Sequence, residues 1–267
     1  MSKIYLKENK KMKLQIPEFN CDNNPIGEHL NKYDMLKHFN AYSFDTFIGK
    51  PGMGKTSLLV SFLTGKKKNK IYRKSFDHVI VVMPTSSRNI MLNNPFKNHH
   101  EDKMYDELNS DVINDIYNKL LNASSENENS LLIMDDVGAS LKNMDIQKQL
   151  KTIIYNRRHL KTKIIMLCQS FLSIPKEIRK LINNIIIFKP SKAEFEKLFE
   201  EMFETKKDVA FELLKFYKQK HDYLMLNVDT QRIYYMFDEI IIEEKNSSEK
   251  ISHWYIFIVN YFFFEKK

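Results

Sequence analysis

Nine residues, GKPGMGKTS from Gly49 to Ser57, combine three glycines with two lysines and two hydroxyls. The chain holds only six glycines in 267 residues, so half of them fall in this one stretch. The spacing G-x-x-x-x-G-K-T is that of a loop that wraps phosphates. Backbone N–H groups must turn inward around the anion, and glycine supplies the conformations and clearances this needs. Lys55 would bring a point charge to the β- and γ-phosphates, and Thr56 a hydroxyl to Mg²⁺. A helix starting there would aim its positive end at the same anion. Gly49, Pro51, Gly52, Met53, Gly54, Lys55, Thr56 and Ser57 are therefore candidate ATP-binding residues.

Such a loop needs a carboxylate opposite it, at the end of another buried strand. LLIMDDVG (131–138) supplies a pair. Asp135 is the candidate partner of Thr56 in holding Mg²⁺, and Asp136 the candidate that orients or deprotonates the attacking water. Asp136 is a methylene shorter than the glutamate often found in that role.

Both motifs need strands that end where they begin. YSFDTFI (42–48) reads as a strand running straight into the glycine-rich loop, and TSLLVSFLTG (56–65) as a helix with a glycine stop. Further buried strands are expected at 76–84, 130–136, 163–169 and 184–190. Apolar residues at 104, 108, 112, 113, 116, 117, 120 and 121 have helical spacing, as do 146, 150, 153 and 154 within 144–160. SIPKEIRKL (173–181) reads as a short helix begun by Ser173. Continuous apolar strands alternating with helices predict an α/β fold: a three-layer αβα sandwich of the P-loop NTPase type with a mainly parallel sheet.

The pattern changes after Pro190. Charged helices are expected over 192–203 and 206–219, then a hairpin around Asp229-Thr230, then an aromatic tail at 251–264. The expected organisation is a lead-in over 1–40, a P-loop ATPase domain over 41–190, and a small α+β extension over 191–267 packed on it. The tail reads as a core strand, an interfacial anchor or a docking segment for a protein or membrane partner.

Forty-two Lys and Arg against 34 Asp and Glu give a net charge of +8, which suits a polyanion partner without requiring one. Two distant cysteines, Cys21 and Cys168, form neither a disulfide framework nor a zinc spacing, and fit a reducing interior. His99-His100 has no partner at metal spacing, so no zinc is expected. The N-terminal residues lack the apolar core of a secretion signal. No apolar run of about 18 residues exists, so no stable membrane span is expected. No N-K-x-D motif follows the strand at 163–169, which disfavours a guanine-specific GTPase.

Taken in order, GKPGMGKTSLL, a strand ending in MPT, LLIMDD, NRRHLKTKIIMLCQS and IPKEIRKLINNIIIF resemble the DNA-packaging ATPases of large DNA viruses and virophages. These are the poxvirus-type branch of the FtsK–HerA superfamily, and the resemblance covers about residues 40–190. It implies a Mg²⁺-dependent ATP hydrolase, with ATP and Mg²⁺ as cofactors. Such an enzyme assembles as a homo-oligomeric ring and drives double-stranded DNA, without reading sequence, into a capsid. Capsid or portal proteins would be partners, and the viral factory in the host cytoplasm or the virion the location. Gln169 would sense the γ-phosphate. Arg157 or Arg158 would reach a neighbouring subunit's ATP as an arginine finger. Arg179 matches a motif whose role is open between an ion pair and a ligand contact. Arg88, Lys74 and the lysines at 66, 67, 68 and 70 are DNA-contact candidates or a solvated face. The alternatives are a cellular P-loop translocase or helicase loader, and a nucleotide-dependent switch protein.

Overall fold

The computed structural model describes residues 41–65, 71–89, 91, 94–203, 207–243 and 255–257. The lead-in over 1–40, Lys66, Lys67, Lys68, Lys70 and most of the aromatic tail lie outside the described residues.

Ten strands form one sheet. In chain order they are β1 (Phe44–Ile48), β2 (His78–Val82), β3 (Met104–Tyr105), β4 (Ser130–Asp135), β5 (Thr162–Cys168), β6 (Asn184–Phe188), β7 (Tyr223–Asn227), β8 (Arg232–Tyr235), β9 (Asp238–Glu243) and β10 (Tyr255–Phe257). The spatial order is β10-β9-β8-β7-β6-β1-β5-β4-β2-β3. From β3 to β6 every neighbour is parallel. From β6 to β10 every neighbour is antiparallel. The parallel part is the expected αβα sandwich, and the C-terminal strands extend its sheet beyond β6.

The helices are α1 (Lys55–Thr64), α2 (Thr85–Asn89), α3 (Ser110–Ser125), α4 (Met144–Asn156), α5 (Lys176–Arg179), α6 (Lys192–Met202) and α7 (Lys207–Leu213). They cover both faces of the sheet, which explains the unbroken apolar strands. In β5, Ile164, Met166 and Cys168 face one core with α3, α4, α6 and α7, while Ile165 and Leu167 face the other with Leu59 and Phe62 of α1. The period of two thus survives beneath a continuous apolar run.

Several boundaries differ from the sequence reading. The helix expected from 101 starts at Ser110, because the Asn109 side chain caps it by accepting from the Val112 N–H at 2.9 Å. Met104 and Tyr105 instead pair in parallel with Val81 and Val82 as an edge strand. The helix expected to reach 160 ends at Asn156, and the one expected to reach 219 tightens into a 3₁₀ turn over 214–216. Asp222 then accepts from the Lys218 and Gln219 N–H groups and fixes the turn into β7. Pro175, not Ser173, precedes the first turn of α5. Among the described residues no helix is long and apolar enough to cross a membrane.

Candidate functional site

The loop between β1 and α1 is shaped by its glycines. Gly52 and Gly54 take φ of 74° and 107°, a region that side-chain-bearing residues rarely enter. Gly49 answers a different demand. A Cβ there would stand 2.9 Å from the Phe188 Cβ at the end of β6, closer than two carbons approach. The Gly49 N–H donates to the Cys168 carbonyl at 3.1 Å, so the loop starts anchored between β5 and β6.

Gly54 caps α1, whose first turn carries no acidic residue. No acidic side chain of α1 itself therefore competes for the N–H groups of that turn or for the positive end of the helix dipole. The Lys55 ammonium arches back over the loop and donates to the Gly49 and Lys50 carbonyls at 2.6 and 3.3 Å. It occupies the mouth of the cradle that a phosphate would fill. Burial pushes Lys55 below its ordinary pKa, opposed by the charge of Asp135.

Asp135 ends β4, two strands from β1 in the sheet, and its Oδ2 accepts from the Thr56 hydroxyl at 3.4 Å. Burial pushes its carboxyl above the ordinary range, opposed by Lys55. A carboxylate short of compensating charge beside a hydroxyl is a hard-oxygen pair, the donor chemistry Mg²⁺ prefers. These residues fit Mg²⁺.

Asp136 is exposed and held at φ 56°, a left-handed conformation that turns it out of the strand direction. Gln169 follows the end of β5 and donates to the Asp136 Oδ1 at 3.4 Å. Lys55, Thr56, Asp135, Asp136 and Gln169 thus gather at the carboxyl edge of three adjacent parallel strands, where ligands bind in open α/β sheets.

Arg157 and Arg158 lie at the other end. They follow α4 and precede β5, whose seven residues separate them from Gln169 by roughly 23 Å at the usual rise per residue. The Arg157 guanidinium donates back to the Ile154 carbonyl at 2.9 Å, whereas Arg158 is exposed. Neither lies at its own chain's phosphate loop. Arg179 pairs with Glu201 at 3.4 Å and stacks on Phe171 at 4.8 Å, an intramolecular role. Arg88 is bound to Asp106 and to the Thr85 hydroxyl, while Lys74 is exposed.

One contact has no signal in the sequence. His221, between α7 and β7, bonds through Nδ1 to the Met53 carbonyl at 2.9 Å. The same ring nitrogen would lie 3.3 Å from a Cβ on Gly54. A lone histidine 168 residues from its partner has neither periodicity nor spacing to betray it.

A family model described as Poxvirus A32 protein matches residues 31–251. The genome packaging NTPase B204 from Sulfolobus turreted icosahedral virus 2, solved with ATP-γS, superposes with a TM-score of 0.57. Its identity is 16%, over 73% of this chain and 97% of its own. The DNA-packaging ATPase B204 from Sulfolobus turreted icosahedral virus gives a TM-score of 0.57 at 16% identity, over 72% and 96% of the two chains. At that identity the likeness shows a shared fold. No curated protein sequence matches the chain.

Proposed function

The chain belongs to the poxvirus A32 protein family, and from that premise we propose that it is a Mg²⁺-dependent ATPase that powers packaging of double-stranded viral DNA into a capsid. The observation that carries this reading is the meeting of Lys55, Thr56, Asp135, Asp136 and Gln169 beside a loop whose own lysine spans an anion-sized cradle. The names of the structures that share the fold, a genome packaging NTPase and a DNA-packaging ATPase, support the same assignment.

In this reading the loop N–H groups bind the phosphates and Lys55 leaves its carbonyl partners for the β- and γ-oxygens. Thr56 and Asp135 would hold Mg²⁺, which when bound neutralises charge on those oxygens. Asp136 accepts the proton of, or orients, the attacking water, and Gln169 fixes the Asp136 carboxylate through its amide. An arginine at the start of β5 serves the next subunit of a ring, because it is a strand's length from its own loop. We assign the motor to residues 41–190 and the packed extension to 191–267. DNA is held by its phosphates rather than its bases, in keeping with a net charge of +8. The viral factory or the virion is the expected location.

The test is ATP turnover by the purified full chain, with and without linear double-stranded DNA, at low and moderate salt. Stimulation by DNA that fades with salt and vanishes in Lys55→Ala is expected. Full turnover by a folded Lys55→Ala protein would show the site to be misassigned. Turnover indifferent to DNA would favour a nucleotide switch.

A further inference from the structure

The catalytic groups sit on one side of the phosphate loop only. Asp135, Asp136 and Gln169 end β4 and β5, and these strands lie on one side of β1 in the sheet. If the γ-phosphate faces them, the nucleoside must leave the loop on the opposite side, toward β6 and β7. This step rests on the ATPase reading above.

A row of aromatic rings starts at the loop on that side. Phe188, ending β6, would lie 3.5 Å from a Cβ on Gly54. Its ring centroid is 5.5 Å from that of Tyr223, its register partner at the start of β7. Tyr223 meets Phe237 edge to face, with centroids 6.5 Å apart at 87°. Phe188 and Tyr223 are buried, but Phe237 is 44% exposed, one of six exposed large apolar side chains among the described residues. The turn carrying it is anchored by Met236, whose N–H donates to the Tyr223 carbonyl at 3.1 Å. Met53 of the phosphate loop packs into the same core cluster as Phe188, Tyr223 and Met236, so loop and aromatic row share one face of the sheet. His221 ties the two together through the Met53 carbonyl.

We propose that the antiparallel extension supplies the nucleobase subsite, with the exposed ring of Phe237, braced by Tyr223, as the face on which the base stacks. His221 is a positioning residue that keeps the loop and this platform in register. An exposed phenyl ring costs solubility and stabilises little, but base–aromatic stacking recovers that surface whenever nucleotide is bound. The observation that singles out a base, rather than another apolar occupant, is continuity with the phosphate cradle on the side away from the carboxylates.

Two ligands separate this proposal from the reading beneath it. ATP has a base; inorganic tripolyphosphate has only the phosphates. Affinities of both for the full chain with Mg²⁺ are measured by calorimetry. Phe237→Ala, and Phe237→Leu which keeps apolar bulk but removes the ring, are expected to weaken ATP about five- to tenfold. Tripolyphosphate should stay within about twofold, and Phe237→Trp should retain ATP. Unchanged ATP affinity in the Ala and Leu variants overturns the proposal, as does an equal loss for both ligands. Lys55→Ala reports on the phosphate loop itself and should lose both ligands. If it binds both as the parent does, the ATPase reading fails and takes this inference with it.

Discussion

The Lys163 ammonium lies 2.6 Å from the Asp45 Oδ2 between the adjacent parallel strands β5 and β1, with 1% of the lysine side chain exposed. Burial opposes that charge, yet Asp45 carries Lys163 above its ordinary pKa. Lys163 also donates to the Ser43 hydroxyl at 2.6 Å and lies over the Tyr72 ring. The other Asp45 oxygen accepts from Asn184 on β6 at 2.6 Å, and Asn184 accepts from Asn227 on β7 at 2.9 Å. One polar chain therefore crosses from the parallel sheet into the antiparallel extension. Removing one partner of a buried pair leaves the other charge unpaired. Asp45→Ala is expected to cost about 3–5 kcal/mol in urea unfolding. The double variant Asp45→Leu with Lys163→Met should recover most of it. A single-variant loss under about 1 kcal/mol would mean the pair is solvated or dispensable.

Gly49→Ala tests the loop's close approach. Its Cβ would meet the Phe188 Cβ, a β-carbon fixed in a buried strand that cannot swing aside. Loss of about 1–3 kcal/mol of stability is expected, with ATP affinity lost alongside. Thermal unfolding and ATP binding are the two readouts. Gly138→Ala is the control, since a Cβ there meets nothing within 4 Å.

Cys168 should resist alkylation. Burial pushes its thiol up to about 12 from an ordinary 9.0, with Asp135 adding to the shift. At pH 8 only about one thiol in ten thousand is then ionised, and the thiolate is the reactive form. Mass mapping after iodoacetamide at pH 8 should find the Cys168 peptide unmodified until denaturant is added. Rapid labelling of the folded chain would contradict the burial. The same shift has a stability sign. As pH rises, the unfolded thiol ionises first and draws the equilibrium toward unfolding. The contribution of the neutral buried thiol is intact below about pH 9 and falls between about 9 and about 12.

The residues most legible in the sequence are those whose chemistry forces a local pattern. GKPGMGKTS had to be glycine-rich, and LLIMDD had to run from a buried strand into paired carboxylates, so both could be read without the fold. The parallel sheet followed from apolar runs too long and too continuous for one-sided strands. The start of α3 was hidden because Met104 and Leu108 share its helical spacing, while the Asn109 cap is a single side chain. His221, Phe237 and the Lys163–Asp45 pair were hidden for another reason. Each depends on contacts 14 to 168 residues apart. Lys163 even reads as an exposed strand residue by its charge. Only the pairing of β6 with β7 brings the C-terminal extension to the phosphate loop, and no local pattern encodes that pairing.

Arg158 should be the finger rather than Arg157. Both stand at the opposite end of β5 from Gln169, so a finger role for either would need a neighbour's nucleotide. Arg157 spends a guanidinium N–H on the Ile154 carbonyl of its own helix, which satisfies the helix end. Arg158 is the more exposed of the two. Loss of a finger costs about 10³–10⁵ in turnover. Arg158→Ala should fall in that range with ATP affinity nearly kept, while Arg157→Ala should lower stability more than turnover. The decisive experiment mixes Arg158→Ala with Lys55→Ala, each inactive alone. In a mixed ring the intact loop of the first protein faces the intact arginine of the second, and turnover should reappear in proportion to mixed interfaces. Two inactive parents that stay inactive when mixed, in rings proved to be mixed by mass, would place the arginine outside the neighbour's site.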